Sequence, residues 1–298
     1  MKEDGLYDDI SDTEYHASHA YSRSDLMLLE QCPLKLDYKK KNLPKEATAA
    51  MNFGTLYHTM ILEPEYFTER FKIKPKLFKL PPKLLKKDVG AEAFEQNKVE
   101  RERITIKNNE ILARYEGHGN DKIEISQADY DKANAMRAQL MSNQDIKLVF
   151  SQLTHVEPSI YWTCKDTGLR FKSRPDALAT INGALVAVDL KTTYDNSPRK
   201  MNYSARDYGY YLQAAMIYEA MESLNKPISD CIFIAQEKEP PYCEGVHMIE
   251  PRSLNYARQE FQKLKHKLKE CIKWDKWPSY APNLWELPSY LLGDLENE

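Results

Sequence analysis

The sequence predicts an α/β or α+β fold in which a central mixed β-sheet is flanked by helices. Segments with apolar residues at helical spacing alternate with short runs of β-branched and aromatic residues, in the order helix, three strands, helix, strand. A hydrophobic fraction of 42% and a charged fraction of 29% over 298 residues are typical of a globular chain that can bury a core.

The N-terminal half is predicted to be mostly helical. A helix over residues 22–40 begins with Ser22 and Asp25 at capping-box spacing, and Pro33 is placed to break it. Residues 50–62 form a second helix with an apolar face. A third helix begins at Ser126, which is again followed by an acid at the third position, and runs to about residue 142.

Residues 65–120 are polar and are predicted to be irregular. We therefore expect a single domain over 1–298, with a helical or irregular insertion at about 65–125 and a core at about 50–64 and 126–276. Eight basic residues and no acidic one lie between Arg70 and Lys87. Three prolines in this run favour an extended, exposed segment.

The C-terminal half carries the predicted sheet. Three strands are expected at 156–164, 169–179 and 184–191, followed by a helix over 204–223. A buried strand over 231–236, a strand over 242–249 and an amphipathic helix over 253–274 complete the fold. Asn182-Gly183 is typical of a type I′ hairpin turn, because both of its central positions need positive φ.

The side chains of this hairpin indicate which chemistry the protein performs. A turn at Asn182-Gly183 places Asp176 opposite Asp189, and two facing carboxylates destabilise a strand pair unless a cation or a raised pKa compensates. Lys191 shares the face of Asp189 because side chains alternate along a strand. Carboxylates that bind a hard divalent cation beside an ammonium are expected for metal-assisted phosphodiester hydrolysis. The alternative is a plain salt bridge between Lys191 and Asp176.

Three other side chains have both an ordinary and a functional interpretation. His58 lies on a predicted apolar helix, where a hydrogen-bonded core histidine is commoner than a metal ligand. Glu157 begins the first predicted strand of the C-terminal half and by itself is an ordinary surface residue. Gln213 stands on a largely apolar helix, where it would ordinarily mark the boundary of the core.

The net charge of the whole chain argues against nucleic-acid binding, but the charge is unevenly distributed along the sequence. The net charge of -3 and the pI near 6.2 are unlike those of basic DNA-binding domains. Residues 1–14 carry -5 and residues 286–298 carry -4, which leaves +6 in the middle. The acidic ends are interpreted as solvated tails, and the basic run as an exposed segment that is either simply solvated or contacts an anion.

The same sequence predicts a cytoplasmic protein with no membrane partner. The N-terminus is acidic where a signal peptide is basic, and no apolar run approaches the ~20 residues that cross a bilayer. Five scattered cysteines without a C-x-x-C pair indicate neither a disulfide framework nor a zinc or iron–sulfur site.

Together these features resemble the RecE (exodeoxyribonuclease VIII) family, a phage and prophage branch of the RecB-like PD-(D/E)XK nucleases. The resemblance covers nearly the whole chain, in the motifs GLYDDISDTEYHAS, FGTLYHTMILEPEYF, EPSIYW, SRPD, VDLKTT, YGYYLQAAMIY and DKWP. It implies a PD-(D/E)XK nuclease core and Mg²⁺-dependent 5′→3′ degradation of linear duplex DNA in a bacterial host cell. The product would be a 3′ single strand for a RecT-like annealing protein.

The resemblance also implies roles for individual residues. Metal ligands would be His58, Asp176, Asp189 and Glu157, and the catalytic set would be Asp176, Asp189, Lys191 and Gln213. One or two Mg²⁺ ions would bind, with the Leu190 carbonyl as a further ligand and Mn²⁺ as a substitute; no organic cofactor is expected. Lys191 would position or deprotonate the attacking water, and burial beside a cation would lower its pKa.

One position departs from the family pattern. Many RecB-like nucleases have a tyrosine four residues after the glutamine, whereas this chain has Ile217 there. Tyr208, Tyr210 and Tyr218 are the candidates for the role of that tyrosine.

DNA binding is expected in two basic regions, because lysines that neutralise phosphates displace counterions. The first is the basic run, with Lys74, Lys76, Lys79, Lys83, Lys86 and Lys87. The second is the helix that carries Lys263, Lys265, Lys267 and Lys269. The resemblance implies a homo-oligomeric ring that acts on double-stranded DNA ends.

Two other functions stay open. One is a RecB-like endonuclease, repair nuclease or helicase-associated nuclease domain, although this chain carries no G-x-x-x-x-G-K-[ST] motif for ATP. The other is a recombination protein that binds DNA ends without cleaving them.

Overall fold

The computed structural model describes residues 2–42, 48–116 and 121–284. Within these ranges a five-stranded mixed sheet has helices on both faces, which confirms the predicted fold class. The strands are β1 (Gly5–Tyr7), β2 (Phe71–Ile73), β3 (Ile123–Ile125), β4 (Leu153–Val156), β5 (Ser159–Thr163), β6 (Arg170–Ser173), β7 (Ala177–Ile181), β8 (Ala184–Thr193), β9 (Asp230–Glu237) and β10 (Glu244–Met248).

The helices of the described residues range from one turn to seven. They are α1 (Asp12–Ala17), α2 (Arg23–Gln31), α3 (Pro33–Lys41), α4 (Ala49–Leu62), α5 (Phe67–Arg70), α6 (Lys86–Val89), α7 (Ala91–Glu116), α8 (Gln127–Leu140), α9 (Gln144–Ser151), α10 (Pro198–Asp207), α11 (Tyr210–Ser223) and α12 (Pro251–Trp274), with a 3₁₀ turn at Pro64–Tyr66.

The main sheet has the strand order β10-β9-β8-β7-β4, in which β8 and β9 are parallel and the other pairs are antiparallel. A second, antiparallel sheet has the order β1-β5-β6. Strands β2 and β3 form a separate parallel pair.

The predicted β7–β8 hairpin is confirmed. Asn182 and Gly183 have φ values of 51° and 80°, as a type I′ turn requires. Ala177 pairs with Val188. This register places Asp176, the residue before Ala177, opposite Asp189, the residue after Val188.

The single strand predicted over 169–179 is wrong, because the chain changes sheets in that stretch. Strand β6 pairs with β5, whereas β7 pairs with β8 and β4. Pro175 lies between them and lacks the N–H group that a continuous ladder needs. Asp176 therefore follows directly on the point where the chain passes from one sheet to the other.

The two faces of the main sheet pack against different helices. Val186 and Val188 face α4 and α8, where Met136 and Leu140 are buried. Ala187 lies in the opposite cluster, which includes residues of α2, α11 and α12. Side-chain alternation along β8 thus points Asp189 and Lys191 toward the α2 and α11 side.

Two of the predicted helices are each divided in the structure. The first divides into α2 and α3 at Pro33, as predicted. The continuous helix predicted over 204–223 is wrong, because Gly209 adopts φ 69° between α10 and α11. A Cβ atom at Gly209 would lie 2.7 Å from Sδ of Met27. The glycine therefore permits both the turn and the close approach of α2 to α11.

The insertion is more regular than predicted, because residues 91–116 form the long helix α7. Residues 74–85 lack regular structure, and Asn108 of α7 holds this segment through two hydrogen bonds to the main chain of Phe78. Lys86 and Lys87, predicted to be extended, begin the short helix α6.

The acidic N-terminus is not a solvated tail. Strand β1 pairs with β5, and Asp4 accepts a hydrogen bond from the main-chain N–H of Thr163. The other acidic end, residues 286–298, lies outside the described residues.

Candidate active site

Asp176 and Asp189 meet at one edge of the main sheet. Asp189 lies on β8 and is 1% exposed, and Oδ2 of Asp176 accepts a 2.5 Å hydrogen bond from the main-chain N–H of Leu190. Burial and the charge of Asp176 raise the pKa of Asp189. Burial also acts to raise the pKa of Asp176, but His58, Lys191 and the Leu190 N–H outweigh it and lower that pKa. The structure thus brings together two carboxylates that repel one another.

Lys191 lies on the same face of β8 as Asp189, and its ammonium forms an ion pair with Oδ2 of Asp189. The expected alternative, a simple salt bridge with Asp176, is not the closest pairing in the structure. The ammonium also lies 4.9 Å from the centre of the Tyr210 ring, which stacks on Phe233 at 5.6 Å. Of the three candidate tyrosines, Tyr210 is therefore the one that faces the site.

The pKa of Lys191 depends on the charges that surround its ammonium. Burial acts to lower it, but the charges of Asp189 and Asp176 outweigh burial and raise the pKa. The ammonium therefore stays protonated at neutral pH. The expected lowering required a neighbouring bound cation, whereas in the structure the neighbouring charges are negative.

His58 on α4 belongs to this cluster. Its Nδ1 lies 3.4 Å from Oδ1 of Asp176, and its side chain keeps 23% of its surface exposed. Burial acts to lower the pKa of His58, but the charge of Asp176 and a hydrogen bond to it outweigh burial and raise that pKa. His58 therefore lies beside a carboxylate of the cluster, with Asp176 as its hydrogen-bond partner.

Gln213 connects the carboxylates to a residue that the sequence did not indicate. Its Nε2 donates a 2.6 Å hydrogen bond to Oδ1 of Asp189, and its Oε1 accepts a 2.8 Å hydrogen bond from Nη1 of Arg23. Gln213 is 8% exposed. No local signal pointed to Arg23, because it lies 190 residues from Gln213 in the sequence.

The sequence predicted that Glu157 begins a strand, and this prediction is wrong. It lies between β4 and β5 with φ 47°, and its main-chain N–H donates a 2.8 Å hydrogen bond to the carbonyl of Asp176. Burial and the charges of Glu63 and Asp12 raise the pKa of the Glu157 carboxyl. Glu157 thus supports the main chain at Asp176.

The donor atoms of the cluster fit a hard divalent cation. Oδ2 of Asp189 is buried, and its neighbour is the Lys191 ammonium, with which it forms an ion pair. Two carboxylates supply the oxygen ligands that such cations prefer, whereas the imidazole is a ligand type more typical of transition metals. In the described ranges no three His, Cys, Asp or Glu side chains are already arranged as a metal-ligand set. A cation would have to compete with Lys191 for Asp189 and with His58 for Asp176.

The two predicted DNA-binding regions differ in the structure. In the basic run, Lys76, Lys79 and Lys83 are exposed on the irregular segment, whereas Lys74 forms an ion pair with Glu124 at 3.3 Å. In the other region, on α12, Lys265 is buried and unavailable to DNA. Lys265 is 1% exposed and pairs with Glu219, and Lys267 donates to the carbonyl of Leu29.

Two cavities lie outside the cluster. One of about 460 Å³ is lined by residues of the N-terminal segment together with Tyr161 and Arg170. A smaller one of about 170 Å³ lies where β8 ends, beside Thr192 and Phe53. Among the residues described, no helix is both long and apolar enough to cross a membrane.

Comparison with known proteins agrees with the fold. The profile of a family described as a "PDDEXK-like domain of unknown function" (DUF3799) matches residues 22–284. No curated protein matches the chain.

The chain is also similar to proteins of known structure. The chain is similar to a "putative exonuclease" from Eubacterium rectale, with a TM-score of 0.56 and 11% identity, over 96% of this chain and 97% of that one. At this identity the likeness shows the fold alone. SSO0001 aligns over 51% of this chain and 66% of that chain at 11% identity, and its TM-score of 0.28 is too low to indicate a shared fold.

Proposed function

The chain belongs to this PDDEXK-like family, and from that premise we propose that it is a metal-dependent exodeoxyribonuclease of the RecE type. The observation that carries the proposal is the convergence of Asp176, Asp189, Lys191 and His58 at one edge of the main sheet. The family and the fold support a nuclease. The choice of an exonuclease acting on linear duplex DNA is supported by the resemblance of the motifs to RecE.

A divalent cation is the group that this cluster fits. Bound there by His58, Asp176 and Asp189, with the Leu190 carbonyl as a further oxygen, it would acidify a water and neutralise charge on the scissile phosphate. We propose Mg²⁺, with Mn²⁺ as a substitute. If a second ion binds, Glu157 is the further carboxylate on the Asp176 side of the site.

Lys191 supplies positive charge and hydrogen-bond donors to the reaction. Its ammonium has three N–H donors, and Asp189 and Tyr210 hold it in place. We assign Lys191 to binding a phosphate oxygen and to orienting or deprotonating the attacking water.

The remaining parts of the proposal concern DNA and partners. The exposed lysines of residues 76–87 would bind the phosphate backbone. The 5′→3′ polarity, the homo-oligomeric ring, the RecT-like annealing partner and a cytoplasmic site of action in a phage-carrying bacterium follow from the resemblance to RecE.

One experiment separates the candidate functions. Purified protein is incubated with 5′-phosphorylated linear duplex or with covalently closed circular DNA, each in Mg²⁺ and in chelator. The proposal predicts degradation of the linear substrate in Mg²⁺ alone and an intact circle, and Asp189→Ala should abolish degradation. Cleavage of the circle would favour an endonuclease, and binding of ends without cleavage would favour a recombination scaffold.

A further inference from the structure

We propose that Arg23 is a positioning residue, which fixes the side-chain amide of Gln213 so that this amide holds Asp189 in place for a divalent cation. The inference rests on the proposed function, because it concerns the same carboxylate site. It adds a residue from α2, at the opposite end of the chain, to the machinery of that site.

The contacts form a linear chain of three side chains. Nη1 of Arg23 donates to Oε1 of Gln213 at 2.8 Å, and Nε2 of Gln213 donates to Oδ1 of Asp189 at 2.6 Å. The outer groups are a cation and an anion, and the neutral amide lies between them. Both hydrogen bonds are charge-assisted and are therefore stronger than bonds between neutral groups.

Arg23 makes one orientation of the amide strongly preferred. If the amide turned over, its NH₂ group would face the guanidinium and its oxygen would face the Asp189 carboxylate. Two donors and two acceptors would then oppose each other, and both hydrogen bonds would be broken. Gln213 is 8% exposed and Asp189 is 1% exposed, so water has little access to replace them.

The fold holds Arg23 in the position that this role needs. Arg23 is the first residue of α2, whose capping box uses Ser22 and Asp25. Leu26 on the same helix is fully buried. The missing side chain at Gly209 lets Met27 approach the start of α11, the helix that carries Gln213. The approach of the two helices thus brings the guanidinium within reach of the amide.

Asp189 needs an external support of this kind. Its second oxygen, Oδ2, is taken by the Lys191 ammonium, and the charge of Asp176 repels it. A fixed donor on Oδ1 determines the plane of the carboxylate, as residues behind metal ligands do in metalloenzymes. Without Arg23 the Gln213 amide can turn, and the carboxylate loses its fixed orientation.

Manganese binding tests the proposal on the protein alone. Isothermal titration with Mn²⁺ compares wild type, Arg23→Ala, Arg23→Lys, Gln213→Ala and the double variant Arg23→Ala/Gln213→Ala. Arg258→Ala is the matched control, because Arg258 lies on the surface of α12, where it pairs with Glu222 of α11. Melting temperatures without metal identify any variant that fails to fold.

The direction in which Mn²⁺ affinity changes on removal of Arg23 distinguishes a positioning role from a simple effect of charge. Removing a nearby positive charge by itself strengthens cation binding, whereas losing the orientation of Asp189 weakens it. We expect Arg23→Ala to weaken Mn²⁺ binding about ten-fold, the scale on which residues behind a metal ligand act. Arg23→Lys keeps a donor and should restore part of the affinity. In the double variant, the loss should not exceed that of Gln213→Ala, because Arg23 acts through Gln213.

Two results would overturn the proposal: Mn²⁺ affinity in Arg23→Ala that equals or exceeds wild type, or losses that multiply in the double variant. A DNA-cleavage assay on the same proteins separates this inference from the proposed function. If the titrations follow expectation but wild type cleaves no DNA, the nuclease function fails and the positioning role stands. If wild type is an active nuclease and the losses multiply, the positioning role alone fails.

Discussion

Lys191 pairs with Asp189, two residues before it on the same strand and on the same face of the sheet. The pair is local, because alternate residues of a strand project together. It gives Asp189 a partner when no cation is bound, and it places the ammonium beside any cation that binds there.

The first prediction separates metal binding from cleavage. Lys191→Ala removes a positive charge next to the carboxylates, so Mn²⁺ should bind at least as tightly as in wild type. Cleavage of linear duplex should fall by about 10²-fold or more, the scale of losing one group that stabilises transition-state charge. Isothermal titration and initial rates measure the two effects, with Lys226→Ala as an exposed control. Weakened Mn²⁺ binding in Lys191→Ala would contradict the pairing of Lys191 with the metal-binding carboxylate.

The second prediction concerns the metal-free stability of the carboxylate pair. Burial and Asp176 raise the pKa of Asp189, so its charged form lowers the stability of the folded protein. Asp189→Asn keeps an oxygen for Gln213 and removes the repulsion. The substitution also removes the partner of the Lys191 ammonium, but the pKa of Asp189 is raised even with that ammonium beside it. Burial and repulsion therefore outweigh the ion pair, and we expect a melting temperature without metal equal to or above that of wild type.

The same variant should lose its response to metal. Wild type should be stabilised by about 2.7 kcal/mol at a Mn²⁺ concentration of 100 times Kd, whereas Asp189→Asn should be stabilised little. Differential scanning calorimetry with and without Mn²⁺ measures both. Equal stabilisation of the two proteins would show that the cation binds elsewhere.

The third prediction concerns acid stability at the helix that carries Arg23. Burial alone would raise the pKa of Asp25, but Lys40, Lys39 and the N–H of Ser22 outweigh it and lower the pKa to about 2. The unfolded value is near 3.9. Asp25 therefore contributes stability above about pH 4, on the order of 2 kcal/mol, and this contribution disappears as the pH falls toward 2.

Asp25→Asn should be less stable than wild type at pH 7 by about that amount, and the difference should disappear near pH 2. Urea unfolding at a series of pH values measures it. Glu14→Gln is the control, because Glu14 pairs with Lys2 on the exposed surface, where such pairs contribute little. A difference that stayed constant from pH 7 to pH 2 would refute the role of the Asp25 charge.

The fourth prediction tests the basic run as a DNA surface. Replacing Lys76, Lys79, Lys83 and Lys86 with Gln should weaken duplex binding. It should also reduce the slope of log K against log salt by about 0.9 for each phosphate that the protein no longer neutralises. A control with the same charge change replaces the exposed Lys165, Lys226, Lys273 and Lys276. Equal effects of the two sets would mean that overall charge, not this segment, binds DNA.

The carboxylate site could be predicted because its determinants are local. Asn182-Gly183 fixes the turn, the turn fixes the register, and alternation then places Asp176, Asp189 and Lys191. His58 and Gln213 required the family resemblance, because nothing in their own neighbourhood distinguishes them from a core histidine and a boundary glutamine.

The features that the sequence did not reveal depend on contacts between distant segments. The break at Gly209 follows from the approach of Met27 on another helix. The strand predicted over 169–179 divides because its two halves have different partner strands. Arg23 contributes through a hydrogen bond to Gln213 that no local pattern encodes. Helix α7 was missed because its mixed charges resemble those of a polar loop.

The measurement that tests the central claim most directly is the release of acid-soluble nucleotides from 5′-phosphorylated linear duplex by wild type and by Asp189→Asn. We expect wild type to release nucleotides in Mg²⁺ and none in chelator. Asp189→Asn, folded and equally stable, should release none in either. Release by Asp189→Asn at the wild-type rate, or by wild type in chelator, would contradict the assignment of these carboxylates as the metal site of a nuclease.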